Sequence, residues 1–175
     1  MTMEEAKIFD LFRKQWALVS AGTIEKFNTC TVSWGSMGTI WTRPGKSGSV
    51  VTVYIHPSRY TCEFLKECET FTVSFYPQEC RKALGYLGSH SGRDEDKVAA
   101  SGLTPLAFGD SVTFREAKTT FLCRKVYGAP FDKTGLADDI KEYYASRPEA
   151  FPPDEEGDWN PHWIFIGEVI DVKEE

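Results

Sequence analysis

Residues 49–76, SVVTVYIHPSRYTCEFLKECETFTVSFY, contain the pattern that decides the fold class. The first part, SVVTVYI, is apolar on both faces of an extended chain, which predicts a central strand of a sheet. The last part, TFTVSFY, alternates apolar residues with hydroxyls and predicts a second, half-buried strand. Between the two strands, the segment 58–68 places Tyr60, Phe64 and Leu65 on roughly one helical face, so a short helix is expected there.

Strand patterns dominate the rest of the chain, and helical patterns interrupt them irregularly. Further strands are predicted at 28–34, 111–116, 119–127 and 163–172. Helices are predicted at 3–15, at 78–88 with Gly88 as the C-cap, after the polar turn 89–97, and in LADDIKEYYAS. No helical pattern separates the strands at 111–116 and 119–127. This order favours a mainly β fold with inserted helices, an antiparallel barrel, over a doubly wound sheet.

Length and composition predict one globular domain that spans residues 1–175, with 41% apolar and 14% aromatic residues. The start of the chain, MTMEEAKIFDLF, carries acids where a signal peptide is basic, and no segment has the roughly 20 apolar residues of a membrane span. We therefore expect a cytoplasmic protein with no membrane partner. The five cysteines are odd in number and lack a C-x-x-C pair, which predicts free, buried thiols and no metal site.

The negative charge is concentrated in residues 129–161, which hold nine acids and three bases and thus the whole net charge of -6. The balanced remainder argues against a nucleic-acid partner, since such proteins carry a basic face. This acidic segment also contains several prolines. A connection of this length inside a domain is either a functional lid or a mobile insertion, and both interpretations stay open.

One candidate anion site is HPSRYT, residues 56–61. It places Arg59 and two hydroxyls at the predicted start of a helix, where free backbone N–H groups attract phosphate. A structural interpretation is also open, because Ser58 or Thr61 at this position would serve as a helix cap.

A second candidate is SHSGRDEDK, residues 89–97, in which Gly92 permits a close backbone approach and Arg93 and Lys97 supply positive charge. In the simpler interpretation the two cations pair with the three acids of the same turn, 94–96. Neither stretch is specific by itself.

The hydroxyl face of the strand at 28–34 is a third candidate. Its hydroxyls could bind the polar edge of a planar heterocycle, with an apolar wall beside it. The hydroxyls are those of Thr29, Thr31 and Ser33, and the wall is formed by Trp34, Gly35 and Met37. Alternatively, this face merely contacts water. The chain lacks the motifs of dinucleotide-binding, nucleoside-triphosphate-binding and hydrolytic sites, and its three histidines have no metal-ligand spacing, so no catalytic acid, base or nucleophile is assigned.

Together and in this order, six stretches resemble the flavin reductase-like, flavoredoxin-type proteins. They are NTCTVSWGSMGTIW, TVYIHPSRYTCEFL, TFTVSF, ALGYLGSHSGRDEDKVAASGLTP, EAKTTFLCRKVY and HWIFIGEVIDV. The resemblance implies an FMN-binding split β-barrel, a homodimer with FMN near the interface. It also implies an oxidoreductase that passes hydride from NAD(P)H to FMN and electrons on to a small molecule or an acceptor protein.

The same resemblance implies the site residues. The flavin ring is assigned to Thr31, Ser33, Trp34 and Gly35. The phosphate and ribityl chain are assigned to Arg59, Tyr60, Thr61, Ser89, Ser91, Gly92, Arg93 and Lys97. Two positions depart from the family pattern: Cys30 replaces a common Met, which we interpret as a packing change, and His56 replaces a frequent Arg, which affects the expected phosphate contacts.

Two other functions remain open at this point. One is a flavin-binding electron carrier without enzymatic activity. The other is an oxidase related to the split-barrel enzymes that act on pyridoxine phosphate, which needs a second phosphate site. The sequence outside the two basic stretches does not provide such a site.

Overall fold

The computed structural model describes residues 10–174, and these form a mainly antiparallel β structure with short helices. The described strands are β1 Ala17–Thr23, β2 Lys26–Val32, β3 Gly35–Thr39, β4 Ser49–Ile55, β5 Thr70–Phe75, β6 Pro105–Phe108, β7 Ser111–Phe114, β8 Thr119–Pro130 and β9 Trp163–Glu174. The described helices are α1 Tyr60–Glu67, α2 Arg81–Ser89, α3 Lys97–Ser101 and α4 Asp138–Ala145, with single turns at Leu11–Gln15, Gln78–Cys80 and Lys133–Gly135.

Seven strands form one antiparallel sheet in the order β2-β1-β5-β8-β9-β4-β3. In a flat sheet of this size the edge strands β2 and β3 would lie about 28 Å apart. Only Ser33 and Trp34 connect them, however, and a chain of that length spans at most about 11 Å. The sheet must therefore curl until β2 and β3 come together at this connection. The Tyr54 N–H donates to the Trp34 carbonyl at 3.4 Å, which extends the β3–β4 pairing up to the connection.

The predicted strands are all present, and β4 pairs on both sides as a central strand does. The half-buried prediction for 70–76 is wrong, because the β6–β7 hairpin covers the hydroxyl face of β5. Thr72 donates to the Val112 carbonyl, and the Ser74 hydroxyl lies 3.3 Å from that of Thr113. This face of β5 can be buried because each of its hydroxyls has a hydrogen-bond partner there.

The helices predicted after residues 58, 78 and 97 and in LADDIKEYYAS are confirmed as α1 to α4. Gly88 as a C-cap is wrong: α2 continues to Ser89, and His90 ends it with an extended backbone. A Cβ on Gly88 would lie 3.1 Å from the Cβ of Thr31, so this glycine lets α2 approach β2. The N-terminal half of the helix predicted at 3–15 lies outside the described residues, and Leu11–Gln15 forms a π-helical turn.

Two apolar clusters stabilise the fold. One fills the barrel, where Val19, Val53, Phe71 and Phe165 come from four different strands and are at most 1% exposed. The other joins α2 to the outside of the barrel. The cysteines are free as predicted: Cys30, Cys62 and Cys123 are buried, while Cys68 and Cys80 are only partly so.

Candidate functional site

A small pocket lies between the start of α1, the end of α2 and the middle of β2. Arg59 precedes α1, Lys97 begins α3, and both line this pocket together with Ser58, Ser91 and other residues. No acid is among the described residues that line it. We call it the anion pocket, because two positive side chains and several hydroxyls favour a negatively charged ligand.

The start of α1 carries no side-chain cap. The Ser58 hydroxyl lies 2.7 Å from Nδ1 of His56, and the Thr61 hydroxyl donates to Oδ1 of Asn28 at 2.8 Å. The capping interpretation of Ser58 and Thr61 is therefore wrong. Since no side chain satisfies the first backbone N–H groups of α1, the helix start keeps its capacity to bind an anion.

Both cations of the anion pocket also bind the end of α2. Arg59 donates from Nη1 to the Gly88 carbonyl at 3.0 Å, and Lys97 donates from Nζ to the carbonyls of Leu87 and His90, each at 3.0 Å. Positive charge stabilises the C-terminal end of a helix. Lys97 is only 4% exposed, and this burial lowers its pKa from the usual value.

Arg93 lies beside the anion pocket and does not line it. Its guanidinium forms an ion pair with Glu63, donates to the Ser58 carbonyl at 3.1 Å and lies 4.7 Å from the centre of the Tyr60 ring. Pairing of Arg93 and Lys97 with the acids of their own turn, the simpler interpretation of the sequence, is therefore wrong. Arg93 instead fixes the turn 89–97 against α1.

The other assigned residues of the turn 89–97 also differ in whether they line the anion pocket. Ser91 lines the anion pocket and accepts a hydrogen bond from the Arg93 backbone N–H at 3.2 Å. Gly92 packs so closely against the Asn28 amide that a Cβ would collide with it. Ser89 faces an adjoining cleft that it shares with Thr31 and Ser33.

A second pocket, of about 220 Å³, adjoins the anion pocket and shares Cys30 and Arg59 with it. We call it the ring pocket, because the residues assigned to the planar ring, Thr31, Ser33 and Trp34, line it. The Thr31 hydroxyl donates to the Leu84 carbonyl at 2.5 Å, so it also holds α2. Because they share Cys30 and Arg59, the two pockets adjoin, and we call them together the cleft, with a cationic end and an aromatic end.

Gly35 is placed differently from the other ring residues. It borders a neighbouring cavity, and a Cβ there would lie 2.5 Å from the Phe12 ring. Close packing against Phe12 therefore explains why a glycine occupies position 35, and this explanation does not depend on a ligand.

Trp34 connects the ring pocket to the segment that follows β8. Its ring centre lies 4.4 Å from that of His162 and 6.4 Å from those of Phe151 and Tyr143. Phe151 and His162 also line the ring pocket. Residues distant in sequence thus complete the aromatic end.

Two histidines at this end are held in the neutral form. The pKa of His162 falls to about 3 because of burial, with the nearby His56 and Arg59 adding to the effect. Burial also lowers the pKa of His56. Tyr144 Oη lies 2.7 Å from Nδ1 of His162, and Nε2 of His56 donates to the Asn160 carbonyl at 3.1 Å.

These contacts also account for the two departures from the family pattern. His56 turns toward Ser58 and Asn160 and contributes no charge to the anion pocket. Cys30 is 3% exposed within the barrel cluster, in agreement with a packing change.

Sequence reasoning missed His56, Tyr54 and Phe151 as lining residues of the ring pocket. For Phe151 the sequence did contain a signal, because the acidic segment is rich in aromatic residues: Phe131, Tyr143, Tyr144, Phe151 and Trp159. So many aromatic residues are unusual for a solvated linker.

Two kinds of feature are absent from residues 10–174. No helix there is long and apolar enough to cross a membrane. Nor does this part of the chain group three or more side chains that could hold a metal ion.

Solved structures with the same fold come from several organisms. An FMN-binding protein from Thermus thermophilus with bound 1-cyclohex-2-enone has a TM-score of 0.64 and 22% identity, over 91% of this chain and 70% of its own. A flavoredoxin from Methanosarcina acetivorans has a TM-score of 0.64 and 22% identity, over 92% and 68% of the two chains. A Shewanella frigidimarina protein described as a flavin reductase with split barrel domain has a TM-score of 0.63 and 18% identity, over 100% and 75%.

These similarities establish the fold as the split barrel that the sequence predicted. A search of curated proteins finds no match to this chain. The family described as "Flavin reductase like domain" matches residues 9–175, almost the entire chain. The chain therefore belongs to the flavin reductase-like family.

Proposed function

We propose that this protein is an FMN-dependent oxidoreductase that uses NAD(P)H to reduce an acceptor. The observation that carries the proposal is the adjacency of the anion pocket and the ring pocket, both of which Arg59 borders. FMN combines a phosphate and a planar ring in one molecule, so a single ligand matches both ends. The family membership and the FMN-binding protein of Thermus thermophilus support the same cofactor.

The donors at the cationic end fit a phosphate. Arg59 and Lys97 supply positive charge, Ser91 a hydroxyl, and α1 an uncapped helix start. An FMN phosphate carries a charge of about -1.5 to -2 near pH 7, so two cations balance it. Tyr60 and Thr61 also line the anion pocket. Arg93 would act from the side by holding the turn 89–97 in place against Tyr60.

The ring end fits less completely. A cavity of about 220 Å³ is below the roughly 300–1,000 Å³ of typical ligand pockets. Phe151 and His162 narrow it from the acidic segment and the start of β9. In our proposal the acidic segment 129–161 acts as a lid that moves outward when the ring enters.

When bound, FMN would supply the hydride and electron chemistry, which explains why no catalytic triad is needed. The chain would bind the phosphate through Arg59 and Lys97 and position the ring edge against Thr31 and Ser33. Trp34 and Phe151 would exclude water from the ring. His162, neutral at pH 7, would offer a hydrogen bond without adding charge to the site.

Arg59→Ala tests the cofactor assignment directly. Loss of a charged hydrogen-bond donor should weaken FMN binding about 10- to 100-fold. The measurement is titration of FMN fluorescence quenching together with the absorbance of the purified protein near 450 nm. Arg115→Ala is the matched control, since Arg115 is exposed and lies just after β7, away from both pockets. Equal FMN affinity of Arg59→Ala and wild type would contradict the assignment.

The nucleotide step needs a separate experiment. Anaerobic addition of NADH or NADPH to the FMN-loaded protein should bleach the absorbance near 450 nm. If the flavin stayed oxidised with both nucleotides, the electron-carrier interpretation would replace the reductase. A cytoplasmic location and a homodimer with FMN near its interface remain part of this proposal, and light scattering of the purified protein checks the dimer.

A further inference from the structure

A large apolar cavity lies next to the ring pocket and has no role in the function proposed above. Its volume is about 720 Å³, within the range of small-molecule sites. It shares Ser33, Trp34 and Tyr54 with the ring pocket. A ligand here would therefore lie near a ring bound in that pocket, with these shared residues at the boundary.

The walls of this cavity are largely aromatic. Tyr54 and Phe131 stack with their ring centres 5.7 Å apart and an angle of 17° between their planes. Trp34 and Tyr143 form another wall, with ring centres 6.4 Å apart. A flat aromatic ligand suits an aromatic lining, because offset stacking on a ring adds to the burial of apolar area.

The charges exclude some ligands. Among the described lining residues Arg13 is the one charged side chain, and its Nη2 already lies 3.4 Å from Asp10. The two phosphates of a dinucleotide therefore have no strong partner in this cavity. An uncharged ligand pays no such cost.

We propose that this cavity is the binding site for a planar, uncharged aromatic electron acceptor, such as a quinone of one or two rings. The inference rests on the proposed function and names its acceptor class. In the overall reaction, NAD(P)H gives up a hydride, and with one proton from solvent the two carbonyl oxygens of the quinone become hydroxyls. The products are NAD(P)+ and the hydroquinone, so electrons and protons balance.

The acidic segment 129–161 builds much of this site. Phe131, Ile140 and Tyr143 all belong to it and line the cavity. Its apolar residues would thus select the acceptor, while its acids remain on the solvent side. This assigns the segment a specificity role in addition to that of a lid.

Ile140→Glu tests the proposal, because it places a carboxylate at the cavity while Ile140 is 40% exposed and tolerates a polar replacement. Menadione is the probe, and its binding to the purified full chain is measured by calorimetry without nucleotide. We expect affinity to fall about tenfold or more, since a charge in an apolar site is costly. Ile170→Glu is the matched control, because Ile170 is 45% exposed on β9 and does not line the cavity.

Leu136→Glu is a second variant that introduces the same charge at another lining position. Unchanged menadione affinity in both cavity variants, or no menadione binding by wild type, would overturn the proposal. It would also be overturned if Ile140→Glu dissociated a dimer and left menadione binding intact, since the face would then be a subunit interface.

Kinetics distinguish this proposal from the proposed function. The cavity variants should raise the KM for menadione about tenfold relative to the KM for hydrophilic ferricyanide, whereas Ile170→Glu should leave both KM values unchanged. If wild type bound menadione but reduced neither acceptor with NADH or NADPH, the oxidoreductase proposal would fail while the aromatic site would stand.

Discussion

The two ends of the cleft are built in opposite ways. At the anion pocket, most of the polar groups come from two short stretches, 56–61 and 89–97. Arg59 and Lys97 donate to backbone carbonyls at the end of α2, and Gly92 lets the turn pack closely against Asn28. At the aromatic end, the ring contacts of Trp34 come from Tyr143, Phe151 and His162. Local chemistry therefore specifies the first end, and long-range packing specifies the second.

The largest effect is expected at the anion pocket, where single charged contacts support the structure. Lys97→Met should lower the free energy of unfolding by about 3 kcal/mol, because two carbonyls at the end of α2 lose a charged donor. Urea denaturation measures this effect. Lys82→Met, an exposed lysine on α2, is the control and should change stability little.

If Lys97→Met unfolded at the wild-type urea concentration, water would be satisfying those carbonyls. Lys97 would then serve the ligand alone, and the contrast between the two ends would be smaller than we propose.

A smaller effect is expected at the aromatic end and depends on pH. The pKa of His162 is about 3 in the folded protein and about 6.5 when unfolded, so the unfolded chain takes up a proton as the pH falls below 6.5. Stability from this group is complete above that value and should fall by about 2 kcal/mol between pH 7 and pH 5.

The measurement is denaturation at both pH values for wild type and His162→Gln. The glutamine variant should lose less stability on acidification, and His56, whose pKa burial also lowers, should supply part of what remains. Identical losses in the two proteins would show that His162 takes up a proton as readily in the folded protein as in the unfolded chain. Its burial would then contribute nothing to the pH dependence of stability.

The smallest effect concerns a single hydroxyl. Tyr144→Phe removes the group that contacts Nδ1 of His162 at 2.7 Å and accepts from its backbone N–H at 3.3 Å. The free energy of unfolding should fall by about 1 kcal/mol, as for a typical hydrogen bond. Thermal or urea denaturation reports it, with Tyr127→Phe, at 43% exposure, as the control. A loss equal to that of Lys97→Met would abolish the distinction between the two ends.

The sequence predicted the elements better than their surroundings. Alternation located β2 and β5, but it indicated exposed hydroxyl faces, whereas Thr29 and Thr72 are fully buried. A hydroxyl is compatible with water or with a buried partner, and its own sequence position does not tell which. The barrel closure at Ser33 and Trp34 likewise becomes apparent only from the strand order.

The sequence by itself determined the strand and helix order, the free cysteines and the family to which the chain belongs. It also located the polar groups of the anion pocket in two short stretches. This was possible because helix starts and tight turns are specified by residues that are neighbours in the sequence. Only the tertiary structure decided that Arg59 and Lys97 meet at one pocket and that the acidic segment lies against Trp34. Aromatic side chains pack by burying apolar area, and no particular spacing in the sequence encodes which of them will meet. Their partners therefore become known only once the chain has folded.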